Sequence, residues 1–328
     1  MTHSTNEERS AVPVSSAQAG ADRPSWAPPE LEGPRLHAAL RSLELTVRGR
    51  LDGLLQGNHL GLVPGPGTEP GEARVYQPGD DVRRMDWAVT ARMSEPHIRQ
   101  TVADRELETW VAMDLSPSLD FGSAACDKRE LAIAALAAVT HLTSGGGNRI
   151  GAVVDNGTGP VRLPARGGLG HSRGLLRKVA ETARADEGTR GDLPRLLESL
   201  RRPPRRRGLA VVVSDFLGEL DWQRALRGLG ARHSLLAVEV LDPRDLELPD
   251  VGTVVLSDPE TGEQREVRTT PVLRKEFAAA AAAHREEVAA ALRRAGCAHL
   301  VLRTDSDWIA DVVRFVVARK RGWSGGTA

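Results

Sequence analysis

From residue 107 onward, short apolar runs alternate with amphipathic stretches, and this alternation predicts the fold. The runs are typical of strands covered on both faces of a sheet. They are 109–114, 149–154, 161–163, 209–214, 235–241 and 298–303. The stretches between them have helical spacing or high helix propensity. They are 128–142, 175–184, 193–200, 222–229, 275–295 and 308–321. Strands that alternate with helices predict a doubly wound α/β domain with a mainly parallel sheet.

The sequence before and after this pattern sets the domain boundaries. A helix is predicted at 33–55, because leucines recur there at steps of three and four. An inserted hairpin is predicted at about 250–270, around the turn Pro259-Glu260-Thr261-Gly262. Four parts result: a disordered tail at 1–30, an N-terminal helix with a charged module at 31–105, the α/β domain at 106–322 and a C-terminal tail at 323–328.

Composition narrows the classes of function. Lysine plus arginine total 44 residues, as do aspartate plus glutamate, so no general attraction to nucleic acid is implied. The arginine-rich run at 201–207 is interpreted as a solvated connector. Only two cysteines are present, which favours reduced, buried thiols and a cytoplasmic location. No apolar run reaches the roughly 18 residues of a transmembrane helix, and the N-terminus lacks the apolar middle of a signal peptide.

Two of the predicted strands end on an aspartate. Asp114 ends one and is followed by Ser116 and Ser118 at alternate positions, while Asp215 ends another. Ligands bind beyond the carboxyl ends of parallel strands, at the point where the strand order reverses. If the two strands are neighbours, these carboxylates and hydroxyls face one crevice and form an all-oxygen site suited to Mg²⁺. The alternative is that they cap turns and satisfy backbone groups.

Two motifs in the sequence resemble those of known families. The stretch Asp114-Leu115-Ser116-Pro117-Ser118 resembles the metal-ion-dependent adhesion motif of von Willebrand factor A domains. Upstream, residues 71–92 resemble the signature of a bacterial family named domain of unknown function 58. The matching positions are Glu72, Arg74, Tyr76, Gly79, Asp80, Arg83, Asp86, Trp87, Ala91 and Arg92. The resemblance covers residues 35–320.

This resemblance implies a von Willebrand factor A-like fold and a non-enzymatic role as adaptor or chaperone-like partner of a MoxR-type AAA+ ATPase. The metal ligands that it implies are Asp114, Ser116, Ser118 and Asp215. A partner Asp or Glu would then complete the coordination of Mg²⁺. The adhesion motif also uses a threonine from a middle loop. The corresponding region, 165–174, contains none, so Ser172 or His171 would have to replace it.

The charged module at 71–92 is interpreted as structural or partner-binding rather than catalytic. Its arginines and carboxylates are expected to pair with each other under the cover of Tyr76 and Trp87. Such a network would hold the module against the α/β domain.

Two other functions remain open from the sequence. A metal-dependent phosphohydrolase would use Asp114 and Asp215, with Asp120 or Lys128 as the further acid or basic clamp that this chemistry needs. A scaffold whose metal site has decayed would show no stabilisation by Mg²⁺. A serine hydrolase and an ATPase are not expected, because the chain has neither a Gly-x-Ser-x-Gly elbow nor a Walker loop.

Overall fold

A computed structural model describes most of the chain. The described residues are 23–31, 33–54, 73–76, 85–93, 95–99, 107–144, 147–185, 188–201, 208–257 and 261–324. Their helices and strands, in chain order, are α1 (Leu36–Leu54), β1 (Ala73–Val75), α2 (Trp87–Met93), β2 (His97–Arg99), β3 (Glu108–Asp114), α3 (Lys128–Thr143), β4 (Arg149–Asp155), β5 (Val161–Arg166), α4 (Leu169–Ala180), α5 (Leu193–Leu200), β6 (Gly208–Ser214), α6 (Gln223–Gly230), β7 (His233–Leu241), α7 (Pro243–Leu246), β8 (Thr253–Ser257), β9 (Gln264–Arg268), α8 (Pro271–Arg294), β10 (Cys297–Arg303) and α9 (Trp308–Ser324).

Six strands form the central sheet, in the order β10-β7-β6-β3-β4-β5. All neighbouring pairs are parallel except β4 and β5, which pair antiparallel at one edge. The chain enters the sheet at β3, moves outward to β4 and β5, and then returns to the other side of β3 through β6. The strand order therefore reverses at β3, which is where such sheets bind ligands. The predicted fold class, doubly wound with a mainly parallel sheet, is confirmed.

Both faces of the sheet are covered by helices. Successive side chains of a strand point to opposite faces, so Val111 and Met113 of β3 join one core while Trp110 and Ala112 join the other. Helices α1, α3, α4 and α9 contribute to the first core, and α5, α6 and α8 to the second. Helix α3 is buried nearly all round because it lies between the sheet and α1. The N-terminal helix is thus an outer layer of the α/β domain.

Two helices differ from their predicted bounds. Helix α4 begins at Leu169 rather than 175, through a glycine-rich stretch of low helix propensity. Its buried residues Ser172, Leu175, Leu176 and Val179 show that tertiary packing outweighs that propensity. Helix α8 begins at Pro271 rather than 275, because Thr270 accepts a hydrogen bond from the Leu273 amide and proline is favoured in the first helical turn.

The N-terminal segment at 23–31 packs on the domain instead of belonging to a disordered tail. Leu31 is buried, and Trp26 packs on the first core. The Trp308 indole donates to the Trp26 carbonyl at 2.9 Å, and the Arg23 guanidinium pairs with Glu130. The apolar area of Trp26 and Leu31 explains why this part of a polar, proline-rich segment is ordered. The rest of the predicted tail, 1–22, lies outside the described residues.

Two small two-stranded sheets accompany the central one. Strands β1 and β2 pair antiparallel next to α2, and β8 and β9 form the predicted hairpin insertion. Both cysteines are free and buried, and burial raises the pKa of Cys297 to about 12, so this thiol is unreactive at neutral pH. Within the described parts of the chain, no helix is long and apolar enough to cross a membrane.

Candidate functional site

Three aspartates lie at the carboxyl edge of the sheet, where the strand order reverses. Asp114 is the last residue of β3 and pairs in register with Asp155, the last residue of β4. Asp215 directly follows β6, the other neighbour of β3. All three are buried, with exposed fractions of 8%, 4% and 3%. These aspartates, together with Ser116, Ser118 and Ser214, are called the strand-end site below.

The loop after β3 places two serine hydroxyls next to Asp114. The Asp114 carboxylate accepts hydrogen bonds from the Ser116 amide at 3.1 Å and from the Ser214 hydroxyl at 2.7 Å. The Ser116 and Ser118 hydroxyl oxygens lie 3.2 Å apart. The loop forms a 3₁₀ turn at Pro117–Leu119, in which both hydroxyls are buried beside each other.

Asp114 has no cationic partner within the described residues. Burial and, second to it, the charge of Asp215 together raise the pKa of Asp114 from 3.8 to about 6, against hydrogen bonds from Ser214 and Ser116 that lower it. A buried carboxylate in this state gains from the arrival of a positive charge. The electrostatics of the strand-end site therefore favour a cation.

This shifted pKa predicts how stability depends on pH without metal. The folded protein holds the Asp114 proton up to about pH 6, whereas an ordinary aspartate releases it at 3.8. The contribution of the Asp114 proton to folding stability is thus present below about pH 3.8 and is lost as the pH rises through about 6. Asp114→Asn should therefore be more stable than wild type at neutral pH in EDTA, by about 3 kcal/mol. Urea unfolding at acidic and neutral pH measures this, and a pH-independent difference would contradict it.

The second carboxylate of the site, Asp215, is already neutralised. The Lys128 ammonium lies 2.9 Å from its Oδ2 atom and 3.2 Å from an oxygen of Asp245. The three side chains have exposed fractions of only 1%, 4% and 9%. Burial opposes the lysine charge, but the two carboxylates outweigh it and raise the pKa of Lys128 above its ordinary value. Lys128, the first residue of α3, thus links this helix to the end of β6 and to α7.

Helix α8 holds the loop after Asp215 in a rare conformation. Phe216 has a φ of 52°, in the left-handed region that non-glycine residues seldom adopt. The His284 ring bonds to the Phe216 carbonyl at 2.9 Å, and Arg285 donates to the Asp215 carbonyl at 3.2 and 3.3 Å. The Arg285 guanidinium also pairs with buried Glu239 of β7. These contacts fix the position of Asp215.

The structure does not bring Ser172 to this site. Ser172 lies in α4, and its hydroxyl donates to the Gly168 carbonyl. Its neighbour His171 bonds to the Ile150 carbonyl near the start of β4. This contact is at the amino ends of the parallel strands, opposite to the strand-end site. Both candidate substitutes for the middle-loop threonine are therefore wrong. The region 165–174 contains the end of β5 and the first half of α4, whereas the segment that returns to the carboxyl end of β4 follows α4.

A threonine does lie close to the end of β4. A methyl group on Gly157, two residues after Asp155, would come within 2.4 Å of the Thr189 Cγ2 atom. Thr189 stands between α4 and α5, and its only sequence signal is its place shortly before the α5 cap residue Asp192. A threonine outside the region 165–174 thus lies near the carboxyl end of β4.

The charged module is described only in part. The Tyr76 amide donates to the Pro96 carbonyl at 2.7 Å and the Asp86 amide to the His97 carbonyl at 2.8 Å, which joins β1, α2 and β2. Trp87 is 70% exposed, so it does not cover a charge network as predicted. The Arg74 backbone lies in β1, and Arg92 is an exposed residue of α2. Glu72, Gly79, Asp80 and Arg83 lie outside the described residues.

Asp86 caps α2, because its carboxylate accepts from the Val89 amide at 3.2 Å. Asp86→Ala should cost about 1 kcal/mol of stability through the lost cap, and it should weaken partner binding if the module is a contact surface. Thermal melting and a binding assay with the purified partner measure these two effects separately. Unchanged melting together with unchanged binding would refute both roles of Asp86.

The donors of the strand-end site fit a hard divalent cation. Mg²⁺ commonly binds proteins through one or two carboxylates and keeps several waters. Asp114 supplies one carboxylate without a cationic partner, and Ser116 and Ser118 supply neutral oxygens. In the described part of the chain, no group of three or more His, Cys, Asp or Glu side chains is arranged to hold a metal. A closed, all-protein cage is therefore not present there, and an open, partly hydrated site is what these residues fit.

Comparison with known proteins identifies relatives along almost the whole chain. The uncharacterized protein Rv1480 of Mycobacterium tuberculosis strain H37Rv is 59% identical over 312 residues, covering 95% of this chain and 98% of the relative. The crystal structure of BatB from Bacteroides thetaiotaomicron, a conserved hypothetical protein, matches 66% of this chain and 99% of its own with a TM-score of 0.38 and 14% identity. A von Willebrand factor type A structure from Catenulispora acidiphila matches 57% of this chain and 43% of its own, with a TM-score of 0.31 and 17% identity. The family model "Protein of unknown function DUF58" matches residues 72–287, and the chain belongs to that family.

Proposed function

We propose that this protein is a non-enzymatic adaptor or chaperone-like partner of a MoxR-type AAA+ ATPase and works in the cytoplasm. In this proposal the strand-end site binds a partner carboxylate across a Mg²⁺ ion. The observation that supports it is the Asp114 carboxylate, which is buried beside serine hydroxyls and has no cationic partner within the described residues. The resemblance of Asp114, Ser116 and Ser118 to an adhesion motif points to the same chemistry.

Four residues of the strand-end site have a role in the proposed contact. Asp114, Ser116 and Ser118 would hold the ion, which supplies the positive charge that a partner Asp or Glu recognises. Ser214 donates to Asp114 at 2.7 Å and so orients its carboxylate. The 3₁₀ turn at Pro117–Leu119 keeps the two serine hydroxyls together. Because these ligands are mostly neutral, the ion keeps open positions for an outside carboxylate.

A phosphohydrolase function is less well supported by the surroundings of its candidate residues. Such an enzyme needs a free acid or a basic clamp facing the substrate. Lys128 is 1% exposed and engaged with Asp215 and Asp245. Asp120 pairs with Arg129 at 2.8 Å and with Arg184 at 3.5 Å. Both candidates are thus engaged in internal ion pairs, which favours the binding function.

The test is the affinity of the chain for a purified MoxR-type ATPase of the same organism, measured by biolayer interferometry in Mg²⁺. The ATPase itself uses Mg²⁺, so variants of this chain give a cleaner answer than a chelator. Asp114→Ala and the double variant Ser116→Ala with Ser118→Ala should each weaken binding by about tenfold or more. Ser172→Ala is the matched control, because this hydroxyl is also buried but lies at the opposite edge of the sheet.

Equal affinity of the wild type and the Asp114 variant would contradict the proposal. Hydrolysis of an aryl phosphate by wild type in Mg²⁺, lost in Asp114→Ala, would replace it with the phosphohydrolase. The two assays use the same purified variants, so one protein preparation decides between the functions.

A further inference from the structure

We propose that the Lys128 ammonium is a built-in cation that takes the place of a metal ion at Asp215. The strand-end site would then consist of two halves, one permanently neutralised by Lys128 and one, at Asp114, open to a divalent ion. This inference rests on the proposed cation site and specifies which carboxylate serves it.

The first support is the position of Lys128 in the fold. It is the first residue of α3, and its amide donates to the Phe121 carbonyl at 2.9 Å. The preceding residue, Asp127, caps the helix in a capping box with Glu130. The helix start is therefore fixed, and the lysine side chain extends to the ends of β6 and β7 instead of into solvent. The Lys128 side chain has an exposed fraction of 1%, so its ammonium group is shielded from bulk water, unlike that of a surface lysine.

The second support is that both oxygens of Asp215 are engaged. Lys128 binds the Oδ2 atom at 2.9 Å, and the Leu217 amide approaches the Oδ1 atom at 3.4 Å. A metal ion at Asp215 would therefore have to compete with the positive charge of the ammonium. Asp114 differs, because its hydrogen bonds come from a hydroxyl and an amide, neither of which carries charge.

The formal charges around Lys128 also indicate that Lys128 is the cation of Asp215. Asp114, Asp215 and Asp245 with Lys128 carry a formal net charge that one divalent ion would neutralise. Two buried carboxylates next to each other and unpaired would be strongly destabilising, so Asp215 and Asp245 need a resident cation. A lysine fills that need without dissociating.

Two double variants with the net charge of wild type test this assignment. The variant Lys128→Met with Asp245→Asn removes the ammonium and one carboxylate, and leaves Asp215 free beside Asp114. The variant Lys128→Met with Asp215→Asn makes the same change of charge but removes the carboxylate that would ligate. Each variant leaves one buried carboxylate without its cation, so both should be less stable than wild type, to a similar degree, but more stable than Lys128→Met alone. Circular dichroism and urea unfolding check this before titration.

The measurement is isothermal titration with MgCl₂ on wild type and both variants. We expect the variant that keeps Asp215 to bind Mg²⁺ about tenfold or more tightly than wild type, because affinity rises with the number of charged ligands. The variant that lacks Asp215 should show no such gain. Equal affinities of the two variants would overturn the inference.

The outcomes also separate this inference from the proposed function. If wild type binds no Mg²⁺ but the variant that keeps Asp215 does, the lysine is confirmed as the resident cation and the metal-dependent contact of the wild type is refuted. If wild type binds Mg²⁺ and neither variant gains affinity, the contact stands and the role of Lys128 is refuted. If either variant fails to fold, refolding it in Mg²⁺ and in EDTA decides. Rescue by Mg²⁺ only where Asp215 is present supports the inference, and equal failure in both buffers overturns it.

Discussion

Replacing Lys128 with methionine is expected to lower the free energy of unfolding by about 3 to 5 kcal/mol at neutral pH in EDTA. Methionine keeps most of the side-chain volume but leaves Asp215 and Asp245 buried, with exposed fractions of 4% and 9%, and without their cation. Water cannot reach these buried carboxylates to replace the interaction with the lost ammonium group, so the folded state is destabilised. Urea unfolding followed by tryptophan fluorescence measures the loss.

The matched control for this prediction is the double variant in which Asp215 also becomes asparagine. In that variant only Asp245 remains buried without its cation, so part of the lost stability should return. A loss below about 1 kcal/mol in the single variant would place Lys128 among ordinary surface ion pairs, and it would contradict the description of a buried cation at the sheet edge.

Replacing Arg285 with methionine is expected to cost about 3 kcal/mol. The guanidinium pairs with Glu239, which is 2% exposed, and donates to the Asp215 carbonyl at 3.2 and 3.3 Å. Without Arg285, the buried Glu239 carboxylate keeps only its contact with the His299 ring. The loop that carries Phe216 in its left-handed conformation also loses a support. The strand-end site should therefore lose both stability and the fixed position of Asp215.

Arg293→Met is the control for this change, on the same helix. Its guanidinium pairs with Glu286 at 2.8 Å, but the two side chains are 64% and 73% exposed. Exposed pairs of this kind contribute about 0 to 1 kcal/mol. Urea unfolding of both variants gives the comparison, and equal stability of Arg285→Met and Arg293→Met would refute the role of α8 in holding the loop.

The sheet and the position of the candidate site follow from local sequence signals. The β-branched runs that end in Asp114 and Asp215 are long enough to identify strands, and alternation with helices identifies a parallel sheet. A parallel sheet puts the ends of its strands at one edge, so two strand-end aspartates already indicate where a ligand would bind. Only the pairing of β3 with β6, a contact between residues about a hundred positions apart, had to come from the structure.

The partners within the site are set by tertiary contacts that sequence spacing does not encode. Lys128 follows a capping residue, and in sequence it is no different from the first residue of an ordinary amphipathic helix. Asp245 lies in the short helix α7 and reaches Lys128 across 117 positions. Thr189 lies after α4, whereas the middle loop was predicted at 165–174, a region that contains the first half of that helix. The packing of Trp26 and Leu31 was missed because two apolar residues are a weak signal within a polar segment.

The central claim is that Asp114 and its neighbouring hydroxyls form an open site for a divalent ion. Isothermal titration of the wild type and of Asp114→Asn with MgCl₂ tests it most directly, because the asparagine keeps the size of the side chain and removes only its charge. We expect the wild type to bind one ion per chain and the variant to bind none in the same concentration range. Absence of binding in the wild type, or equal binding by the variant, would contradict it.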